Sequence, residues 1–138
     1  MPAYDRFHNA VRNALIKDGW TITDDPLTLR IGERKLYVDL GAEQIIGAVK
    51  ETRKIAVEVK TFAGLSEITD LHEALGQFVL YHEVLAEQQP ERELYLAVPQ
   101  SAAQGIFQED VGALLLRRRV VKLLSFDPEN EEVRQWIP

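Results

Sequence analysis

Asp39, Glu58 and Lys60 are the residues whose types and spacing could do chemistry. Glu58 and Lys60 lie two apart in the alternating run Ile55-Ala56-Val57-Glu58-Val59-Lys60, so on a strand both side chains leave the same face with Cα atoms about 6.5 Å apart. If the strand carrying Asp39 pairs beside this one, a second carboxylate joins them across the ladder. Two carboxylates with room for water suit Mg²⁺ or Mn²⁺, since a hard cation takes oxygen ligands at about 2.0 to 2.1 Å and keeps several waters. A phosphodiester oxygen would complete the shell. The ion would acidify a bound water and neutralise charge on the phosphate, while Lys60 orients the nucleophile or stabilises developing negative charge. The plainer reading is that Glu and Lys decorate a solvated strand face and that Asp39 caps the turn at Gly41. Spacing alone leaves both open.

The elements that must position these residues can be read from periodicity. Tyr4, Phe7, Val11, Ala14 and Leu15 form one stripe of a helix over 4 to 17, which Gly19 stops. After the turn-forming Asp24-Asp25-Pro26, the runs Leu27 to Ile31 and Leu36 to Leu40 alternate on either side of Gly32-Glu33-Arg34 and predict a hairpin, with Asp39 in its second strand. Segment 42 to 53 reads equally as a short helix or as the outer strand of another hairpin. Ile55 to Lys60 is a strand. Ser66 or Thr69 caps a long helix to about Glu87, with Ile68, Leu71, Leu75, Phe78, Val79, His82 and Leu85 on its buried side, and Pro90 ends it. Leu94 to Val98 is apolar almost throughout, as in a central strand covered on both faces. A helical stretch within 101 to 116, a strand at Val120 to Phe126 and the acidic stretch 127 to 132 follow. Antiparallel strands followed by a helical crossover and another strand predict an α/β three-layer sandwich, a central mixed β-sheet flanked by helices, as a single domain over 1 to 138.

Composition narrows the classes. With 138 residues, 46% of them hydrophobic, the chain can bury a core without staples. The absence of cysteine excludes disulfides and thiolate metal sites, and the histidines at 8, 72 and 82 lack zinc-ligand spacing. The N-terminus does not read as a signal peptide, and no apolar stretch approaches the roughly 20 residues of a membrane span. The expectation is a cytoplasmic protein with no membrane partner. A net charge of −6 argues against promiscuous DNA binding. DNA contact would need a local basic patch, such as Arg117-Arg118-Arg119 with Lys122, or Lys50, Arg53 and Lys54, or else a metal ion and a partner.

Asp39 followed by Glu58-Val59-Lys60 resembles the D…(D/E)XK signature, and the element order resembles the αβββαβ core of the restriction endonuclease-like PD-(D/E)XK superfamily. Nearly the whole chain is similar to the XisH family, the fdxN element excision controlling factors. The likeness runs through Phe7-His8-Asn9-Ala10-Val11, Ala14 to Trp20, Tyr37 to Glu43, Lys54 to Lys60 and Ala74 to Tyr81. That resemblance implies programmed excision of a DNA element in heterocyst-forming cyanobacteria, beside a site-specific recombinase and an XisI-type controlling factor. Its partners would be DNA and those two proteins, with a homodimer left open. It leaves open whether the chain is a metal-dependent endonuclease or a non-catalytic adaptor. Gln77 and Tyr81, at i and i+4, resemble the helical QxxxY element that some such nucleases set beside the metal site, and Glu73 continues the stripe. His8 stands on the first helix, where many superfamily members carry an acidic ligand; the nearest carboxylate here is Asp5.

Overall fold

The computed structural model describes residues 6–46 and 51–138. Its elements run α1 (His8–Lys17), β1 (Thr21–Asp24), β2 (Leu27–Ile31), β3 (Arg34–Val38), β4 (Leu40–Ile46), β5 (Glu51–Val59), α2 (Glu67–Gln88), β6 (Arg92–Pro99), α3 (Gln100–Gln104), α4 (Asp110–Arg117), β7 (Leu123–Asp127) and β8 (Glu132–Ile137). Six strands form one mixed sheet in the order β1-β4-β5-β6-β7-β8, while β2 and β3 stand apart as a hairpin. The ladders β5–β6 and β6–β7 are parallel; the others in the sheet are antiparallel.

Alternation decides which side each strand residue serves. Ile55, Val57 and Val59 join Val11, Leu15, Trp20, Tyr95, Ala97, Leu124 and Phe126 in a core beneath α1. Ala56, Leu94, Leu96, Val98 and Leu123 face the other way, where they meet α2 through Leu71, Ala74, Phe78, Tyr81 and Leu85 and also meet the hairpin through Leu27, Leu29 and Val38. Each Val, Leu, Ile or Phe side chain among them taken wholly out of water contributes about 1.5 to 3 kcal/mol. The result is a mixed α/β fold whose central sheet is flanked by helices on both faces, as expected. Among the described residues no helix is long and apolar enough to cross a membrane.

Local chemistry sets the ends. Gly19, at φ +90°, takes the left-handed conformation that closes α1. The Ser66 hydroxyl accepts from the Thr69 N–H and starts α2, where Glu67 and Asp70 oppose the helix dipole.

Several expectations need correction. Of the two readings open for segment 42 to 53 the structure takes the strand, with 42 to 46 in the outer arm of a second hairpin and 51 to 53 at the start of β5, while residues 47 to 50 lie outside the described region. The first helix is described only from His8, so Tyr4 and Asp5 also fall outside. The buried stripe of α2 is rotated from the expected one: Ile68, Val79 and His82 are exposed, while Ala74, Tyr81 and Val84 are buried. A helix buries whatever its axis turns inward, so a small Ala and an amphipathic Tyr were available for the core. Strands β1 and β8 were not expected. The latter pairs along β7 directly after the acidic turn at 127 to 131, where Asp127 accepts bonds from the Glu129 and Asn130 N–H groups and from Arg134.

Candidate functional site

Asp39 sits at the bend between the hairpin and the main sheet. Its strand neighbours part company there, since Val38 ends β3 and Leu40 begins β4 opposite Val57. One step beyond that last pair the ladder has no further rung, and the N–H groups of Asp39 and Val59 need other acceptors. The side chains supply them. Asp39 Oδ2 accepts from the Val59 N–H at 2.7 Å, and Glu58 Oε1 accepts from the Asp39 N–H at 3.2 Å. Each carboxylate thus caps an N–H on the neighbouring segment, Asp39 that of Val59 and Glu58 that of Asp39. They reach one place through the bend and the β5 ladder, not through pairing of the hairpin strand with β5. Glu58 is 5% exposed.

Tyr81 approaches from α2. Burial, then the charges of Glu58 and Asp39, push its phenol up to about 12, so it keeps its proton and remains a hydrogen-bond donor beside two carboxylates. Lys60, the third expected member, leaves the same face as Glu58, but its ammonium lies 2.9 Å from Glu73 Oε2. The hydrogen bond from Lys60, then its charge, holds the Glu73 carboxyl below its ordinary value. Gln77 is exposed one turn before Tyr81, and no hydrogen bond among the described residues joins it to Asp39 or Glu58. The structure therefore brings Asp39, Glu58 and Tyr81 together, keeps Lys60 at the rim, and leaves Gln77 related to them by helical spacing alone.

The opposite approach belongs to α1. His8, 3% exposed, has Nδ1 3.8 Å from Asp39 Oδ1 and Nε2 2.6 Å from Asp25 Oδ1, and Arg12 binds the other oxygen of Asp25. Burial works to raise the Asp25 pKa, but the bonds from Arg12 and His8 outweigh it and leave the carboxyl below its usual value. Asp25 and Arg12 were not singled out from sequence, because an acid before Pro26 between two strands reads as turn chemistry.

The donor set fits a hard divalent cation. It offers carboxylate oxygens only, already oriented, and two carboxylates with water are enough for Mg²⁺. Among the described residues no group of three or more His, Cys, Asp or Glu side chains that could hold a metal ion is found.

The basic clusters differ in what they are free to do. Arg53 stands over the rings of Trp20, Tyr95 and Trp136 and pairs with Glu93, which also takes Lys122. Arg117, Arg118 and Arg119 are exposed at the end of α4, and Lys50 lies outside the described residues.

The family model described as "XisH protein" matches residues 1–134. A solved structure of an XisH family protein from Nostoc punctiforme PCC 73102 is 45% identical, covers 97% of this chain and 100% of its own, and has a TM-score of 0.86. That of an fdxN element excision controlling factor protein from Anabaena variabilis is 44% identical, covers 96% of this chain and 98% of its own, and has a TM-score of 0.86. No curated protein matches the chain. Family model and solved relatives agree over nearly the full length, and the chain belongs to the XisH family.

Proposed function

We propose that the chain is a controlling factor in the excision of a DNA element, built on a restriction endonuclease-like PD-(D/E)XK core and able to hold Mg²⁺ or Mn²⁺ between Asp39 and Glu58. The excision role is supported by the relative named as an fdxN element excision controlling factor. The nuclease-like reading is carried by one observation, the two side-chain caps, Asp39 on the Val59 N–H and Glu58 on the Asp39 N–H, that hold two carboxylates at the end of β5. When bound, the cation supplies Lewis acidity toward a phosphodiester oxygen and a water of lowered pKa. The residues of the chain do the rest. Asp39 and Glu58 fix the ligand oxygens, Tyr81 offers its proton as a donor to an anionic oxygen, and Lys60 exchanges Glu73 for the phosphate. Gln77, one turn from Tyr81, would face DNA from the rim. DNA, an XisI-type factor and a recombinase are the partners of this reading.

The test is titration of Mg²⁺ and Mn²⁺ into wild type and Glu58→Ala, with cleavage of supercoiled, linear and branched DNA read in parallel. Binding and cleavage that both disappear in the variant support a metal nuclease. Cleavage that persists in purified Glu58→Ala refutes the assignment.

A second reading, a non-catalytic adaptor for a protein partner, is favoured by the net charge of −6 and by how many cations are already committed: Lys60 to Glu73, Arg12 to Asp25, Arg92 to Asp24, Lys122 to Glu93 and Arg134 to Asp127. A wild-type chain that folds, binds no metal and cuts no DNA, yet co-purifies with a recombinase or an XisI-type factor, would establish it.

A further inference from the structure

We infer that His8 is a positioning residue for Asp39, anchored from behind by Asp25 and Arg12; the inference rests on the metal site proposed above. His8 and Arg12 are four apart on α1 and therefore share one face. Both reach the same carboxylate, one oxygen each: His8 Nε2 to Asp25 Oδ1 at 2.6 Å, and Arg12 to Asp25 Oδ2. A carboxylate held at both oxygens cannot rotate, and an ionised carboxylate only accepts, so Nε2 is the ring nitrogen that carries a proton toward it.

Fixing Nε2 fixes the other edge of the ring. Nδ1 is then presented to Asp39 Oδ1 at 3.8 Å, too long for a hydrogen bond but close enough to stop the carboxylate swinging toward α1. Asp39 is thereby constrained at each oxygen, Oδ2 by the Val59 N–H and Oδ1 by the imidazole edge. With His8 only 3% exposed, the ring is held in a packed interior. Groups one layer behind a metal ligand commonly change metal affinity about 10- to 100-fold when removed, because they set the ligand's orientation.

The test uses the intact chain with Mn²⁺ as probe, titrated calorimetrically into wild type, His8→Gln and Arg12→Gln, with thermal unfolding of each in the absence of metal. His8→Gln keeps an amide that can reach Asp25 but removes the ring edge at Asp39; its Mn²⁺ affinity is expected to fall about 10- to 100-fold. Arg12 is part-exposed, so Arg12→Gln loosens Asp25 without opening the core. It is expected to weaken Mn²⁺ in the same direction at an unchanged melting temperature, and it decides the matter if His8→Gln does not fold. A merely structural role would lower the melting temperatures and leave the affinity of the folded protein alone. Equal Mn²⁺ affinity in all three proteins overturns the inference while leaving the metal site standing; a wild type that takes up no Mn²⁺ overturns both.

Discussion

Replacing Glu58 by Gln should make the metal-free protein more stable. The substitution keeps the shape of the side chain and an oxygen able to accept from the Asp39 N–H, so the bond that orders the bend survives. What it removes is one of two negative charges. Two unit charges about 5 Å apart repel by about 3 kcal/mol at an effective dielectric of about 20. Asp39 retains some exposure, which screens part of this, and an amide accepts a somewhat weaker bond than a carboxylate. A net gain of about 1 to 2 kcal/mol remains, which at an m-value of about 2 kcal/mol/M moves the urea midpoint up by about 0.5 to 1 M. Adding Mg²⁺ should reverse the order. Wild type gains about 2.7 kcal/mol at a hundredfold excess over its Kd, and Glu58→Gln, with one ligand charge gone, gains little. The assay is urea unfolding of both proteins with and without Mg²⁺. A metal-free Glu58→Gln that unfolds at lower urea than wild type would refute the reasoning, since it would mean that the buried charge is itself stabilising.

Other outcomes follow from the same geometry. The neutral Tyr81 phenol is favoured in the folded state, so its contribution is present below pH 10 and lost as pH rises from about 10 toward about 12, at about 1.4 kcal/mol per unit; unfolding followed across that range should show a shallower alkaline loss in Tyr81→Phe, and an unchanged slope would remove the attribution. A Cβ on Gly112 would collide with the Ile106 carbonyl oxygen and the Phe107 Cα, both backbone, so Gly112→Ala should cost about 3 kcal/mol in denaturant unfolding. Gly76 has open space around its Cβ position inside α2, and Gly76→Ala should stabilise by about 0.5 to 1 kcal/mol in the same assay. If the exposed arginines of α4 touch phosphates, Arg117→Ala/Arg118→Ala should weaken DNA binding alike for all sequences and flatten its salt dependence; unchanged affinity and slope would clear them of that role.

Where the sequence was legible, one period dominated. β5 alternates and β6 runs apolar from Leu94 to Val98, and both cover the expected runs, β5 beginning earlier at Glu51 and ending at Val59, and β6 reaching from Arg92 to Pro99. So does α2, whose cap at Ser66 is a local bond. What could not be read was partnership between distant segments. The hairpin strand before Asp39 looks as able to pair with β5 as β4 is, and only the three-dimensional ladder decides for β4. Residues 132 to 137 carry too weak an alternation to announce β8, which owes its place to the open edge of β7. Within the site, Tyr81 lies close enough to feel the charges of Glu58 and Asp39, but Lys60 turned to Glu73 because a carboxylate on α2 was within reach, and Gln77 stayed exposed because the helix turned Ala74 and Tyr81 inward. Asp25 was invisible as a site residue, since its bond to His8 spans 17 residues and joins a turn to a helix.

The strongest objection to a functional reading is that Asp39 and Glu58 are simply ladder-end caps. Both do cap: each satisfies an N–H that the bend leaves without a backbone partner. But capping needs an acceptor oxygen and not a charge. Asn and Gln would serve the same two N–H groups without setting two anions together, one of them 5% exposed, and without adding their charge to the burial that raises the Tyr81 phenol. The charge is the part of the arrangement that these two caps do not require. An adaptor that only presented a surface would gain stability by losing it, whereas a protein that must hold a divalent cation could not lose it and keep its ligands. The reversal of the stability order between wild type and Glu58→Gln on adding Mg²⁺ therefore separates capping alone from a cation site, and it does so before any DNA substrate has to be found.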